Sequence, residues 1–230
     1  FSNLFTGANS DISLDSELRK EIVTADTIYW IVSFIRWTGV RIFEKELRAF
    51  TKRQNTEFRI ICTTYMGASE AKAIEYLASL PNTKVKISYD THHERLHAKS
   101  YIFKRNSGYH TAYIGSSNLS YAALTKGLEW NMKVNAQENP HIVQKATSTF
   151  NTYWENKNFE LYEAGHSEKL RKALLVAKGG KKQMDQVFIL PGFEITPYPY
   201  QQEILEKLLL EREALGNYKN LVVAATGTGK

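Results

Sequence analysis

The chain has 230 residues, of which 43% are hydrophobic and 23% charged, and its 30 Lys and Arg outnumber 24 Asp and Glu to leave a net charge of +6. That composition fits an ordinary globular protein with one good core and part of a second, and the basic balance suits a polyanionic partner such as nucleic acid. A single cysteine, Cys62, excludes an internal disulfide framework and any cysteine-based zinc cluster. The apolar runs are too short to span a bilayer and the N-terminus lacks a signal-peptide layout, so the expectation is a cytoplasmic protein with no membrane contact.

Short β-branched and aromatic runs alternate with stretches of helical period, which predicts a layered α/β domain. Ser10 to Thr24 predicts a helix whose apolar stripe is Ile12, Leu14, Leu18 and Ile22. Thr27 to Ile35 follows as a strand, Phe43 to Phe50 as a helix, Glu57 to Thr63 as a strand holding Cys62 as a small core residue, and Ala68 to Leu80 as a helix. Lys84 to Tyr89, Leu96 to Phe103, Thr111 to Gly115 and Leu128 to Val134 predict further strands, the last placing Glu129 opposite Leu128 and a core Trp130. Pro140 to Trp154 and Glu168 to Ala177 return to helical period, and Lys178-Gly-Gly-Lys-Lys182 breaks it as a linker. Beyond lies a helix from about Gln201 to Leu215, then a strand, Asn220 to Ala225, running into Thr226-Gly227-Thr228-Gly229-Lys230. A strand leading into a glycine-rich turn and a lysine is the opening of a phosphate-binding loop.

The densest chemistry is His97-Ala-Lys99, then Gly115-Ser-Ser-Asn118, then Glu129. Cleaving a phosphodiester calls for a nucleophile, for cations and hydrogen-bond donors around the non-bridging oxygens, and for a proton source for the leaving alkoxide. Side chains alone supply these without a metal. Strand alternation predicts His97 and Lys99 on one face, with Leu96 and Ala98 on the other. Basic residues such as Lys104, Arg105 and Lys126 are expected near the groove.

These three elements, in order and spacing over roughly the first 160 residues, resemble the single-copy motif of the phospholipase D superfamily, especially its metal-independent nucleases. The resemblance implies an α/β sandwich with a mixed central sheet flanked by helices, and no cofactor for this domain. It implies that His97 attacks phosphorus to give a phosphohistidine, that Lys99 and Asn118 hold the non-bridging oxygens, and that Ser116 adds a hydroxyl contact. Glu129 is then expected to hydrogen-bond His97 and favour its cationic form. The long form of the motif carries an aspartate where this chain has Lys104. Two histidines are needed, one to attack and one to protonate the leaving group, so one motif per chain predicts a homodimer sharing a single site. Pro199-Tyr-Gln201 resembles the glutamine motif of superfamily 2 helicases, and Ala225 to Lys230 their first ATPase motif. This implies adenine contact by Gln201, phosphate contact by Thr226 to Lys230, and ATP with magnesium as cofactors of the complete motor. The expected layout is a nuclease-like domain over 1–160, a helical extension and basic linker over 161–192, and the beginning of a RecA-like helicase domain over 193–230.

Three other readings compete. The domain is a silent nucleic-acid-binding module that targets a helicase, or it cleaves lipid phosphodiesters by the same chemistry. The third is a zinc protease, since His93-Glu-Arg-Leu-His97 spells HExxH. That chemistry needs both histidines on one face of a sustained helix, and here the residues sit between two predicted strands.

Overall fold

The structure, a computed structural model, describes residues 1–7, 12–89 and 96–177. These lie within one unit, Phe1–Val187. The linker expected at 178–182 and the helicase-like motifs, with Gln201 and Thr226 to Lys230, fall outside the described residues.

In chain order the elements are β1 (Asn3–Phe5), α1 (Leu14–Thr24), β2 (Thr27–Ile31), α2 (Trp37–Val40), α3 (Glu44–Thr51), β3 (Glu57–Thr63) and α4 (Ala71–Ser79). There follow β4 (Thr83–Ser88), β5 (Ser100–Lys104), β6 (Thr111–Gly115), β7 (Asn131–Asn135), α5 (Pro140–Glu155), β8 (Phe159–Leu161) and α6 (Ser167–Ala177). The strands form one mixed sheet in the order β1-β7-β6-β5-β2-β3-β4-β8. Strands β2, β3 and β4 run parallel, while β5 is antiparallel to β2, and β6, β7 and β1 continue antiparallel to that edge.

The parallel strands are buried on both faces, which is why Phe58, Ile60, Ile61 and Cys62 read as an almost continuous apolar run. Burial also pushes the Cys62 thiol up to about 12, so it behaves as a small core residue. On one face Leu18 and Ile22 of α1, Leu47 and Phe50 of α3, and Ile74 and Leu77 of α4 close over the sheet. Trp30 is the hub there, meeting Phe58 and Tyr101 edge-on at 4.9 and 5.3 Å between ring centroids. Such pairs add about 1 kcal/mol each beyond their buried area. On the other face α5 sets Phe150 flat on Tyr29 at 4.4 Å.

Several expectations change. Helix α1 begins at Leu14, so Ile12 stands outside it and is exposed. Leu170 and Leu174 of α6 enter the main core, and β8 pairs with β4. Trp130 is 63% exposed instead of buried, next to a row that the core cluster holding Val134 does not include. In that row the register aligns Leu4, Met132 and Ile114 across β1, β7 and β6, and all three are exposed.

Candidate active site

The site lies where β2 and β6 end and β5 and β7 begin. Regular pairing of β5 starts only at Ser100, so Leu96 to Lys99 form an irregular approach to the strand. The expected alternation therefore does not hold: Leu96 and Lys99 are buried, while His97 and Ala98 are exposed. The two functional side chains nevertheless meet. Lys99 Nζ lies 3.0 Å from Nδ1 and 3.1 Å from Nε2 of His97, and donates to the His97 carbonyl at 2.7 Å. A positive charge this close to both ring nitrogens disfavours the imidazolium. Burial, then the charge of Lys99, hold the His97 pKa below its ordinary value. Burial lowers Lys99 as well, opposed by the negative charge of Glu129.

Glu129 thus takes a different place from the one expected. Among the described residues it makes no hydrogen bond to His97, and the ring is biased toward its neutral form, not its cationic one. Glu129 sits on the irregular approach to β7, which starts at Asn131, and its field acts on Lys99 and on the buried Tyr101 hydroxyl.

The Gly115–Asn118 turn starts beside the lysine, with Gly115 N–H donating to the Lys99 carbonyl at 3.2 Å. The approach is so close that a Cβ at Gly115 would stand 2.2 Å from the Trp130 carbonyl oxygen. Asn118 is 8% exposed, and its Oδ1 accepts the Phe34 backbone N–H at 3.1 Å. That bond assigns the amide: the oxygen is used by the protein, and Nδ2 is its remaining donor end. Ser116 turns away from this role, since its hydroxyl accepts the Trp130 N–H at 3.1 Å and clips the turn to the start of β7.

Residues that the sequence reading passed over hold the turn in place. Ser117 is fully buried, and its Oγ accepts from Asn131 Nδ2 at 2.7 Å while donating to the Ala123 carbonyl at 3.1 Å. Ser117 N–H donates to Asn131 Oδ1 at 3.4 Å, and Tyr101 donates its hydroxyl to the Ser117 carbonyl at 2.9 Å. In sequence Asn131 is one of three polar residues in the short strand Asn131–Asn135, with nothing to set it apart.

The cations expected near the groove, Lys104 and Arg105, are at the opposite end of β5. Lys104 ends that strand and pairs with Thr27, roughly 15 Å of extended chain from Lys99. Residue 104 is therefore not beside His97, and a lysine there leaves the site geometry untouched. Arg105 instead joins a buried network, pairing with Glu21, which also accepts from Thr111 at 2.7 Å, Tyr113 at 2.8 Å and Lys133 at 3.0 Å. The side chain of Lys126 falls outside what the structure describes.

Among the described residues no group of three or more His, Cys, Asp and Glu is placed to hold a metal ion. His93 and Glu94 lie outside those residues, but His97 leads into a strand instead of closing a helix, which removes the basis of the HExxH reading. No helix among the described residues is long and apolar enough to cross a membrane.

Residues 18–154 match the family described as cardiolipin synthase, PLD-like domain. Three solved structures illustrate the likeness. The phospholipase D family member Nuc from Salmonella typhimurium is 19% identical with a TM-score of 0.53, the match covering 71% of this chain and all of that one. NucT from Helicobacter pylori is 17% identical with a TM-score of 0.50, over 67% of this chain and 96% of that one. Phosphatidylserine synthase from Haemophilus influenzae is 11% identical with a TM-score of 0.52, over 77% of this chain and 43% of that one. No curated protein matches the sequence.

Proposed function

Because the chain belongs to the phospholipase D-like family, we propose that it is a metal-independent phosphodiesterase that cuts DNA through a covalent phosphohistidine on His97. The observation that carries this reading is the pairing of Lys99 with a neutral His97 beside an Asn118 amide whose donor end is free. A phosphate entering here takes Lys99 Nζ and Asn118 Nδ2 on its non-bridging oxygens, releasing the ring from the lysine. The imidazole then attacks phosphorus, a P–N bond forms, and the P–O bond to the departing sugar oxygen breaks. In the second step water attacks the same phosphorus and gives its proton to the group that had protonated the leaving oxygen, and the P–N bond breaks to return the neutral ring. Glu129 keeps Lys99 charged throughout.

The departing alkoxide needs a proton, and a neutral nucleophile cannot give it. In our reading a second copy's histidine does, across a twofold axis, one copy's ring being neutral to attack while the other's carries the proton that it gives to the leaving oxygen. The exposed row of Leu4, Ile114, Met132 and Trp130 supports this, because it borders the site through the Ser116–Trp130 bond and offers an apolar, self-complementary face. The net charge of +6 suits a polyanionic substrate such as DNA. The motifs at Gln201 and at Thr226 to Lys230 support a place for this domain ahead of a superfamily 2 helicase motor that uses ATP and magnesium.

The test is nicking of supercoiled plasmid in excess EDTA by wild type, His97→Ala and Glu129→Ala. Cleavage that survives EDTA and vanishes with His97→Ala is expected, with a partial loss for Glu129→Ala. Absence of cleavage by the wild type with and without divalent ions would point to a silent binding module instead.

A further inference from the structure

The segment after β2 makes an aromatic and cationic pair that the chemistry above does not use. Phe34 is half-buried and Arg36 exposed, and the guanidinium lies over the Phe34 ring at 5.8 Å from its centroid. Among the described residues Arg36 has no carboxylate partner. The segment is fixed to the phosphate-holding turn at successive points. Phe34 N–H bonds Asn118 Oδ1 at 3.1 Å, Ile35 bridges Leu119 in parallel, and Arg36 N–H donates to the Leu119 carbonyl at 2.9 Å. Gly39 completes the clamp, since a Cβ there would meet the Leu119 backbone at 2.4 Å. Behind it stands Trp37, with Lys72 over its ring at 4.6 Å and its N–H on Glu70.

We infer that Phe34 and Arg36 form the subsite for the nucleotide next to the reacting phosphate, the guanidinium taking that nucleotide's phosphate and the ring stacking its base. The inference rests on the phosphodiesterase reading and adds the substrate class: a single strand with an accessible base beside the cut. Three physical points carry it. A guanidinium on an aromatic face keeps its fork of donors for phosphate while giving up little rotamer freedom. Stacking on an aromatic ring accepts any base and needs it unpaired. The backbone clamp fixes this pair relative to the Asn118 amide, so phosphate and neighbouring nucleotide are positioned by one rigid unit. A lipid headgroup without a nucleobase offers no flat face for the ring to stack on.

The experiment measures binding of a fluorescent single-stranded oligonucleotide by anisotropy, with the full chain in the His97→Ala background so that nothing is cut. Arg36→Ala is expected to weaken binding about tenfold and to reduce the slope of log affinity against log salt by about one, with Arg36→Lys restoring the slope. Phe34→Leu is expected to weaken binding about tenfold with the salt slope unchanged. In the cleaving protein, Arg36→Ala is expected to raise KM and to spare kcat. Affinities within twofold of the parent for both variants overturn the inference, as does a fall in kcat at constant KM, which marks a merely structural role. Cleavage that depends on His97 with no effect of Arg36 or Phe34 sinks this subsite alone. Binding that depends on both residues in a protein that never cleaves sinks the phosphohistidine reading alone.

Discussion

Asn131 grips Ser117 with both ends of its amide, Oδ1 receiving the backbone N–H and Nδ2 donating to the hydroxyl. Neither residue touches a substrate in the proposed chemistry. Together they fix the floor of the turn from which Asn118 reaches the phosphate.

Replacing Asn131 by Ala leaves a buried N–H without its acceptor and a buried hydroxyl without one donor. Each such loss costs about 1 to 3 kcal/mol, so Asn131→Ala is expected to lower stability by about 2 kcal/mol in urea unfolding. It is also expected to cut kcat by tenfold or more through the displaced turn. Wild-type stability in the variant would dismiss the clamp.

The acid limb of the cleavage profile is expected below the ordinary imidazole pKa of about 6.5, because burial and Lys99 both depress His97. In that window the unfolded chain binds the proton that the folded chain refuses, so this residue makes stability rise with pH through it. Lys99→Met removes the charge and leaves the burial, so His97 is expected to titrate higher. Following the ring Cε1 proton by NMR decides the matter, and an unmoved titration rejects the pairing as its cause.

Burial alone would raise the Glu21 carboxyl, but the bonds from Arg105 and Thr111, the charge of Lys133 and the Tyr113 hydroxyl together hold it below the ordinary value. Glu21→Gln leaves Arg105 and Lys133 facing a neutral group, and is expected to cost about 3 kcal/mol near neutral pH. The sign with pH follows from the lowered value. The ion's contribution is complete above about 4.3 and is lost as pH falls through the folded pKa. The gap in Tm between wild type and Glu21→Gln is therefore expected to close on acidification. A gap that is the same at both ends of the range would refute this account.

Met132→Glu sets a charge in the middle of the exposed row between Leu4 and Ile114. Sedimentation velocity is expected to show a dimer for wild type and a monomer for the variant, with kcat reduced at least tenfold. A wild-type monomer that still nicks plasmid removes the shared site.

Periodicity in the chain was enough for the long elements, since β3, β6 and α5 each carry a clean apolar pattern that the sheet and its covering helix then satisfy. The three-residue edge strands β1 and β8 carry no period to detect, and only their partners define them. Ser116 and Ser117 are indistinguishable as letters, yet one faces solvent and the other is sealed beneath the turn. Trp130 looked like core because of its chemistry, whereas its exposure depends on tertiary neighbours that no local window holds. His97 and Lys99 meet through the irregular approach to β5 and not through the strand alternation that their spacing suggests, and the field of Glu129 depends in the same way on where pairing of β7 begins.

The parallel bridge between Ile35 and Leu119 joins segments far apart in the chain, and the bonds around it bring Phe34, Lys99, Asn118 and Asn131 together from four different strand ends. The Phe34–Asn118 bond and the Ile35–Leu119 bridge are of high contact order, and closure of a long loop must be overcome before they form, whereas the contacts of Ser117 with Tyr101 and Asn131 are local to adjacent hairpins. The β5–β6–β7 meander alone brings Lys99, the Gly115–Asn118 turn and Asn131 together. What it lacks is the Phe34 N–H that orients the Asn118 amide, so that orientation reports on docking of β2 and arrives only with the central strands.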